Sequence, residues 1–426
     1  MSSAAAQASV RGWCPGALRP MQSGDGLIVR LRPRGGAFTC NELARVACLA
    51  ARYGNGQIDL TRRANLQIRG LSQTALPTVW SELRRLRLLD ASADAEAVRN
   101  VMVSPLAGLD ATEVIDLRPV AEKLELALAQ DPRLWKLPGK FGFIVDGGGR
   151  FHLDADRADI RLKACVLDGV QSVALGLDRC EGTEWIGHIA VDDAADSAIG
   201  IARAFLDVSP SSRARMRDLD GVRLHELCAR AAIRISTLPA PPPVSGGGDP
   251  ALGLLANGEN TFSLGLAAPF GRITAVCLER LACAARDLGV GEIRLSPWRT
   301  LFVPVSCDEK AKALALVGVG HGLIVDPADP LRMIEACPGS SGCRSASFDT
   351  YATARRVAAM LAGIGCRSCH VSGCSKGCAS SRVADLVLVG AETRVGVLRR
   401  GTPQGVPEVY VSADHLSQLP AVLATL

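Results

Sequence analysis

The sequence predicts an α+β fold built as a tandem duplication around a pseudo-twofold axis. Three observations carry that expectation: an internal repeat, a break between its copies, and a composition able to bury a large core. Leu238 to Pro250 reads LPAPPPVSGGGDP, where proline stiffness followed by glycine freedom excludes a helix or a central strand. On either side, Asn41–Gly70 and Leu278–Val305 each read as an amphipathic helix, a glycine turn and a strand. Further on, RADIRLK at 157–163 matches RVADLVL at 382–388 around an Ala-Asp pair. Terminal helix patterns close both copies, at Asp192–Leu206 and Ala413–Leu426. Each copy is thus expected as mainly antiparallel strands with helices on one face.

Composition narrows the class. The 426 residues exceed one compact core, and 48% hydrophobic with 21% charged residues describes a globular chain. A net charge of +5 is mild for this length and does not by itself imply nucleic acid. Met1–Val10 has neither a basic start nor an apolar run, and no uninterrupted apolar segment reaches the ~18–20 residues of a spanning helix. The expectation is a cytoplasmic protein without membrane or nucleic-acid partners. Fifteen cysteines in a reducing compartment point to metal or cluster ligation rather than disulfides.

Leu60–Arg69 is read as one strand whose alternation separates two faces. Leu60, Ala64, Leu66 and Ile68 point one way, while Thr61, Arg63, Asn65, Gln67 and Arg69 form a polar stripe suited to carboxylates. Arg62 alone breaks the apolar set. Arg30, Arg32 and Arg34 alternate on a preceding strand, either extending this cradle or forming an exposed basic edge.

The chemical signal lies in Cys337-Pro-Gly-Ser-Ser-Gly-Cys343 and Cys374-Ser-Lys-Gly-Cys378, separated by a helical stretch at Ser347–Ala362. Four thiolates can hold a [4Fe–4S] cluster, and small residues between them let amides approach its sulfides. Tetrahedral zinc is the alternative, although the five-residue gap exceeds the spacing zinc pairs prefer. Cys366 and Cys369 form a second close pair, read as buried thiols.

These residues resemble the sulfite and nitrite reductase superfamily, which binds sirohaem beside a [4Fe–4S] cluster. The resemblance rests on the cysteine spacing, the duplicated half and the segment LTRRANLQIRG at 60–70, and it covers nearly the whole chain. It implies ferredoxin-like half-domains at 20–90 and 251–325, and larger α+β domains at 91–237 and 326–426. An entry tail at 1–19 and a linker at 238–250 complete the expected division, with the cluster in the last domain. It further implies that Arg63, Arg99 of the Arg-Asn-Val segment and Lys140 of the Leu-Pro-Gly-Lys-Phe segment face a tetrapyrrole or its anionic substrate. Asn65, Gln67 and Arg69 would support them, and Cys337, Cys343, Cys374 and Cys378 would ligate the cluster.

One departure matters. The reductases commonly carry a second lysine two residues after the first, where this sequence has Gly142. With Ser23-Gly-Asp-Gly26, Ser104-Pro-Leu-Ala-Gly108 and Asp146-Gly-Gly-Gly149, the chain is similar to the branch acting in aerobic cobalamin biosynthesis. That similarity implies an oxidoreductase, a monooxygenase whose substrates are precorrin-3A and dioxygen. It hydroxylates a meso carbon and closes a γ-lactone. The alternative is a sirohaem-dependent sulfite or nitrite reductase, and a third reading is a zinc-stabilised or electron-carrying protein without catalysis.

No Gly-x-Gly-x-x-Gly fingerprint appears, and Asp146-Gly-Gly-Gly149 reads as a turn between strands at Phe141–Val145 and Phe151–Leu153. Electrons are therefore expected from an external donor, an NADH-linked reductase or a ferredoxin-type protein. The resemblance also implies a possible mononuclear non-haem iron. Its ligands are not legible, because the six histidines, His152, His188, His225, His321, His370 and His415, show no close helical spacing.

Overall fold

The computed structural model describes residues 15–232, 241, 252–259, 261–412, 415 and 418–424. Most of the expected linker, Cys14 and parts of the last helix pattern lie outside the described residues.

The first half runs β1 (Met21–Ser23), β2 (Gly26–Leu31), β3 (Ala37–Thr39), α1 (Cys40–Tyr53), β4 (Gln57–Leu60), β5 (Leu66–Leu71) and α2 (Leu76–Arg85). It continues through α3 (Ala93–Val98), β6 (Val101–Val103), α4 (Arg118–Gln130), β7 (Phe143–Asp146), β8 (Ile160–Leu167), β9 (Val170–Arg179), β10 (Gly182–Ile189), α5 (Ala194–Val208) and α6 (Gly221–Arg230). The second half opens with β11 (Gly253–Gly258), β12 (Thr261–Ala267), β13 (Arg272–Thr274), α7 (Ala275–Asp287), β14 (Glu292–Leu295), β15 (Thr300–Val305) and α8 (Asp308–Gly320). It ends with β16 (Ile334–Ala336), α9 (Thr350–Leu361), β17 (Cys369–Ser372), β18 (Ala384–Ala391), β19 (Arg394–Gly401), β20 (Val409–Val411) and α10 (Leu419–Ala424).

Four five-stranded sheets result, matched in pairs. The first has the order β1-β2-β5-β4-β13 and its counterpart β11-β12-β15-β14-β3. Each half therefore lends the other an edge strand: β13 pairs with β4, and β3 pairs with β14. The sequence supports this locally. Thr39 ends β3 and caps α1 in a reciprocal box with Glu42, and Thr274 ends β13 and caps α7 by accepting from the Cys277 amide. Fully buried Ala47, Ala50, Ala282 and Ala285 let α1 and α7 pack closely at the seam.

The other sheets have the orders β10-β9-β8-β7-β6 and β16-β17-β18-β19-β20. Both begin with three parallel strands and finish antiparallel, which corrects the expectation of mainly antiparallel pairing in these domains. The reason is that α4 lies between β6 and β7, and α9 between β16 and β17, supplying the crossover that parallel neighbours need. Each crossover helix buries an apolar face, with Val120, Ala121, Leu124 and Leu128 on α4 and Ala354, Val357, Ala358 and Leu361 on α9.

The expected strand at Leu60–Arg69 is two strands joined by a turn. Thr61 Oγ1 accepts from the amides of Arg63 at 3.3 Å and Asn65 at 3.1 Å, and Ala64 takes φ 51°. The second copy makes the same turn, with Ser296 Oγ bonded to the Thr300 amide at 3.2 Å and Arg299 at φ 61°. Phe151–Leu153 is a loop rather than a strand, because the Asp146 carboxylate gathers the amides of Gly148 at 3.0 Å and Leu153 at 2.7 Å. Among the described residues, no helix is long and apolar enough to cross a membrane.

Candidate functional site

Arg63 and the Lys140 segment meet at the edge of the first half. Asn100 organises this edge: its side-chain amide donates to the carbonyls of Ala97, Gly139 and Phe141 at 3.0, 3.3 and 3.0 Å, and its Oδ1 accepts from Arg32 Nε at 3.3 Å. The loop carrying exposed Lys140 is therefore tied to β2. Gly142 follows, its amide held by Asp159 Oδ2 at 2.9 Å. A Cβ at Gly142 would stand 2.9 Å from Arg63 Nη1, so the Arg63 guanidinium occupies the space a side chain there would need.

The remaining stripe residues are buried and held by protein. Gln67 accepts from Arg30 Nε at 3.0 Å and Nη2 at 2.8 Å, and Asn65 lies buried at the end of the turn. Arg69 donates to Asp25 at 2.8 and 2.9 Å, to Asp59 at 3.1 Å, to Ser23 Oγ at 3.1 Å and to the Gly342 carbonyl at 3.4 Å. It thus joins the first-half sheet to the loop carrying Cys343.

Arg99 lies apart from Arg63 in its bonding. It forks onto Asp90 with Nε and Nη2 at 3.0 Å each, donates to the Arg32 carbonyl at 3.0 Å, and lies 3.9 Å from Glu125. Burial pushes the Glu125 carboxyl up while Arg99 pulls it down. Arg32 pairs with Glu96 at 2.9 Å with both side chains buried, and Arg34 pairs with Asp90 at 3.2 Å. Arg99, Arg32 and Arg34 are thereby bound into an internal ion-pair network.

The four motif cysteines lie on two interlocked loops that follow β16 and β17. Cys337 is buried and accepts the Gly373 amide at Sγ, 3.2 Å away. Cys343 and Cys374 are half-buried and Cys378 is exposed. The loops lock through the Ser347 amide on the Gly373 carbonyl at 3.0 Å and Lys376 Nζ on Ser345 Oγ at 3.1 Å. A Cβ at Gly373 would lie 2.4 Å from that of Ala346, so glycine is required for this approach. Four thiols on facing loops, one already receiving an amide N–H, are the donor set an iron–sulfur cluster takes.

Cys366 and Cys369 are buried in the core under α9, and burial pushes both thiols up. His370 is 1% exposed, with neither ring nitrogen partnered among the described residues. Among the described residues, no group of three or more His, Cys, Asp or Glu side chains is arranged to hold a metal ion. The described side chains therefore form no triad for a mononuclear iron, and the four motif thiols share facing loops without being closed into a ready-made metal site.

Sequence reasoning missed the acidic partners Asp25, Asp59, Asp90 and Glu96, which fix the arginines. It also missed the counterpart of the cysteine motif in the first half. By strand order β6 corresponds to β16 and β7 to β17, so Ser104 directly follows β6 as Cys337 directly follows β16. The substituted chemistry hid this correspondence.

Comparisons with known proteins identify the family. The family model of the Nitrite/Sulfite reductase ferredoxin-like half domain matches residues 19–86 and 255–315. That of the Nitrite and sulphite reductase 4Fe-4S domain matches residues 94–219, the copy without the cysteine quartet. A precorrin-3B synthase from Sinorhizobium sp is 35% identical over 98% of this chain and 88% of its own. A ferredoxin–nitrite reductase from Synechococcus elongatus is 28% identical over 88% of this chain and 78% of its own. The solved NirA protein of Mycobacterium tuberculosis shares the fold with a TM-score of 0.75, at 19% identity, covering 94% of this chain and 80% of that one. With paired half-domains, paired larger domains and relatives aligned end to end, the chain belongs to the nitrite and sulphite reductase family.

Proposed function

We propose that this oxidoreductase is a precorrin-3B synthase, converting precorrin-3A to precorrin-3B with dioxygen in aerobic cobalamin biosynthesis. The observation that carries this reading is the contact of Arg63 with Gly142. Where the reductases are expected to set a second lysine against a small anion, this chain has a glycine whose side-chain space Arg63 fills. The identity to a precorrin-3B synthase over nearly the whole chain supports it.

In this reading Arg63 and Lys140 receive acetate and propionate groups of the tetrapyrrole through charge-assisted hydrogen bonds. Asn100 sets the height of the Lys140 loop. Buried Gln67 acts indirectly, by orienting Arg30, and Asn65 shapes the turn that carries Arg63. Arg69 acts indirectly, by fixing the Gly342 carbonyl beside Cys343. Cys337, Cys343, Cys374 and Cys378 would hold a [4Fe–4S] cluster, whose chemistry is to pass electrons one at a time. One oxygen atom enters the meso carbon as hydroxyl and the other leaves as water, consuming two electrons and two protons. The electrons come from an external donor, a ferredoxin-type protein or an NADH-linked reductase, in the cytoplasm.

The test is purification without oxygen, an absorption spectrum, and iron and sulfide analysis. An iron–sulfur shoulder near four irons per chain without sirohaem bands, followed by oxygen-dependent turnover of precorrin-3A, is expected. Strong sirohaem bands with sulfite or nitrite reduction would overturn the reading in favour of a sirohaem-dependent reductase.

A further inference from the structure

A cavity of about 310 Å³ lies on the seam of the duplicated halves. Its walls bring together Arg62 from the turn before β5, Arg299 from the matching turn before β15, Thr300 at the start of β15, Asp156 from the loop before β8, and Glu335 on β16. Arg62 is the residue that broke the apolar set of the sequence stripe, and the reading above gives it no role.

Polar groups on these walls are incompletely satisfied. Glu335 pairs with Arg62 Nη2 through one oxygen and with Arg299 Nη1 at 2.8 Å through the other. Arg62 Nε, Arg299 Nε, the Thr300 hydroxyl and Asp156 Oδ2 remain buried without a partner among the described residues. Thr300 is fully buried. Buried polar groups are paired in more than about nine cases in ten, so four orphans on one cavity call for a molecule that pairs them. His370 adds to the count, standing in register beside Glu335 on the neighbouring strand with both nitrogens unpartnered among the described residues.

Charge and size define the class. Four guanidinium groups, of Arg62, Arg299, Arg332 and Arg382, face two carboxyls, of Asp156 and Glu335, leaving the walls cationic. Burial also pushes the Asp156 carboxyl up. The volume sits at the small end of ligand pockets, roughly 300–1,000 Å³. It has room for a short dicarboxylate or one arm of a larger molecule, not for a macrocycle. Arg62 is the sequence neighbour of Arg63, which links the cavity to the edge where the proposed tetrapyrrole would bind.

We infer that this seam cavity is a carboxylate-binding site, with Arg62 and Arg299 gripping the carboxylate and Thr300 donating to it. The carboxylate belongs either to a free small dicarboxylate or to a peripheral arm of the tetrapyrrole. Only the second source rests on the function proposed above.

The test uses the full-length protein and two probes, succinate by calorimetry and uroporphyrin by fluorescence. The variants are Thr300→Val, Arg299→Gln and Lys140→Gln. Thr300→Val is nearly isosteric, and an unchanged melting temperature certifies its fold. Succinate binding weakened about tenfold or more by Thr300→Val and Arg299→Gln, and untouched by Lys140→Gln, identifies a free dicarboxylate. Uroporphyrin binding weakened about tenfold by Thr300→Val and by Lys140→Gln, with no succinate binding, identifies the arm. Succinate binding that responds to the cavity variants while uroporphyrin is not bound at all sustains the cavity and sinks the tetrapyrrole reading. If neither probe binds, or neither affinity responds to Thr300→Val, the inference is overturned.

Discussion

Arg69 and Gly342 are 273 residues apart in sequence, yet the Arg69 guanidinium donates to the Gly342 carbonyl at 3.4 Å, one residue before Cys343. Ser23 Oγ reaches the same carbonyl at 2.9 Å. The polar stripe of one half thereby holds the cysteine loop of the other.

Replacing Arg69 by Gln should therefore act on the loop before it acts on substrate. Asp59 would keep Arg272, but buried Asp25 would lose its guanidinium, at a cost of up to about 3–5 kcal/mol typical of a broken buried pair. Thermal melting and iron content on the same sample check this. A variant that melts as wild type with full iron would remove Arg69 from this role.

Cys343→Ser should abolish the cluster and the turnover together, read by iron and sulfide analysis. An intact cluster in that variant would shift attention to Cys366 and Cys369, despite their raised thiols and burial.

Arg99 and Lys140, expected from the resemblance to share one task, should separate. Arg99→Ala leaves buried Asp90 with Arg34 alone and takes the cation from Glu125, and should cost up to roughly 3–5 kcal/mol of stability. Lys140→Gln changes an exposed side chain and should leave stability within about 0.5 kcal/mol while raising KM for the tetrapyrrole. Paired melting curves and kinetics discriminate, and equal KM effects without destabilisation would reverse the assignment.

Glu113 should make stability depend on pH. Burial, tempered by the Gly108 amide and reinforced by Asp116, Asp110 and Asp146, pushes its carboxyl from 4.5 up to about 7. The folded state binds this proton more tightly than the unfolded chain, so stability falls as pH rises from about 4.5 through about 7. Glu113→Gln imitates the protonated form. Its melting temperature should match wild type near about pH 5 and exceed it at about pH 8, and a parallel decline in both proteins would refute the assignment.

The duplication was legible because it is a pattern along the chain. The break in the Leu60–Arg69 strand was not, since alternation survives a turn that reverses the chain. Thr61 and its counterpart Ser296, each followed by a left-handed residue, were the available signal. Arg99 illustrates a different limit. A motif identifies the residue, but only folding brings Asp90 and Glu125 to its guanidinium. The parallel pairs were hidden for a related reason, because strand direction depends on where a crossover helix lands.

The exchange of β3 and β13 has a consequence for the history of the chain. A half on its own carries one sheet without its last strand and one strand without its sheet. The smallest assembly that completes both is two halves. A gene encoding a single copy would have to form a symmetric strand-swapped homodimer to close its sheets. Fusion of two such genes would turn that dimer into one polypeptide. Freed from symmetry, one copy could carry cysteines at positions 337, 343, 374 and 378 while the other went without them.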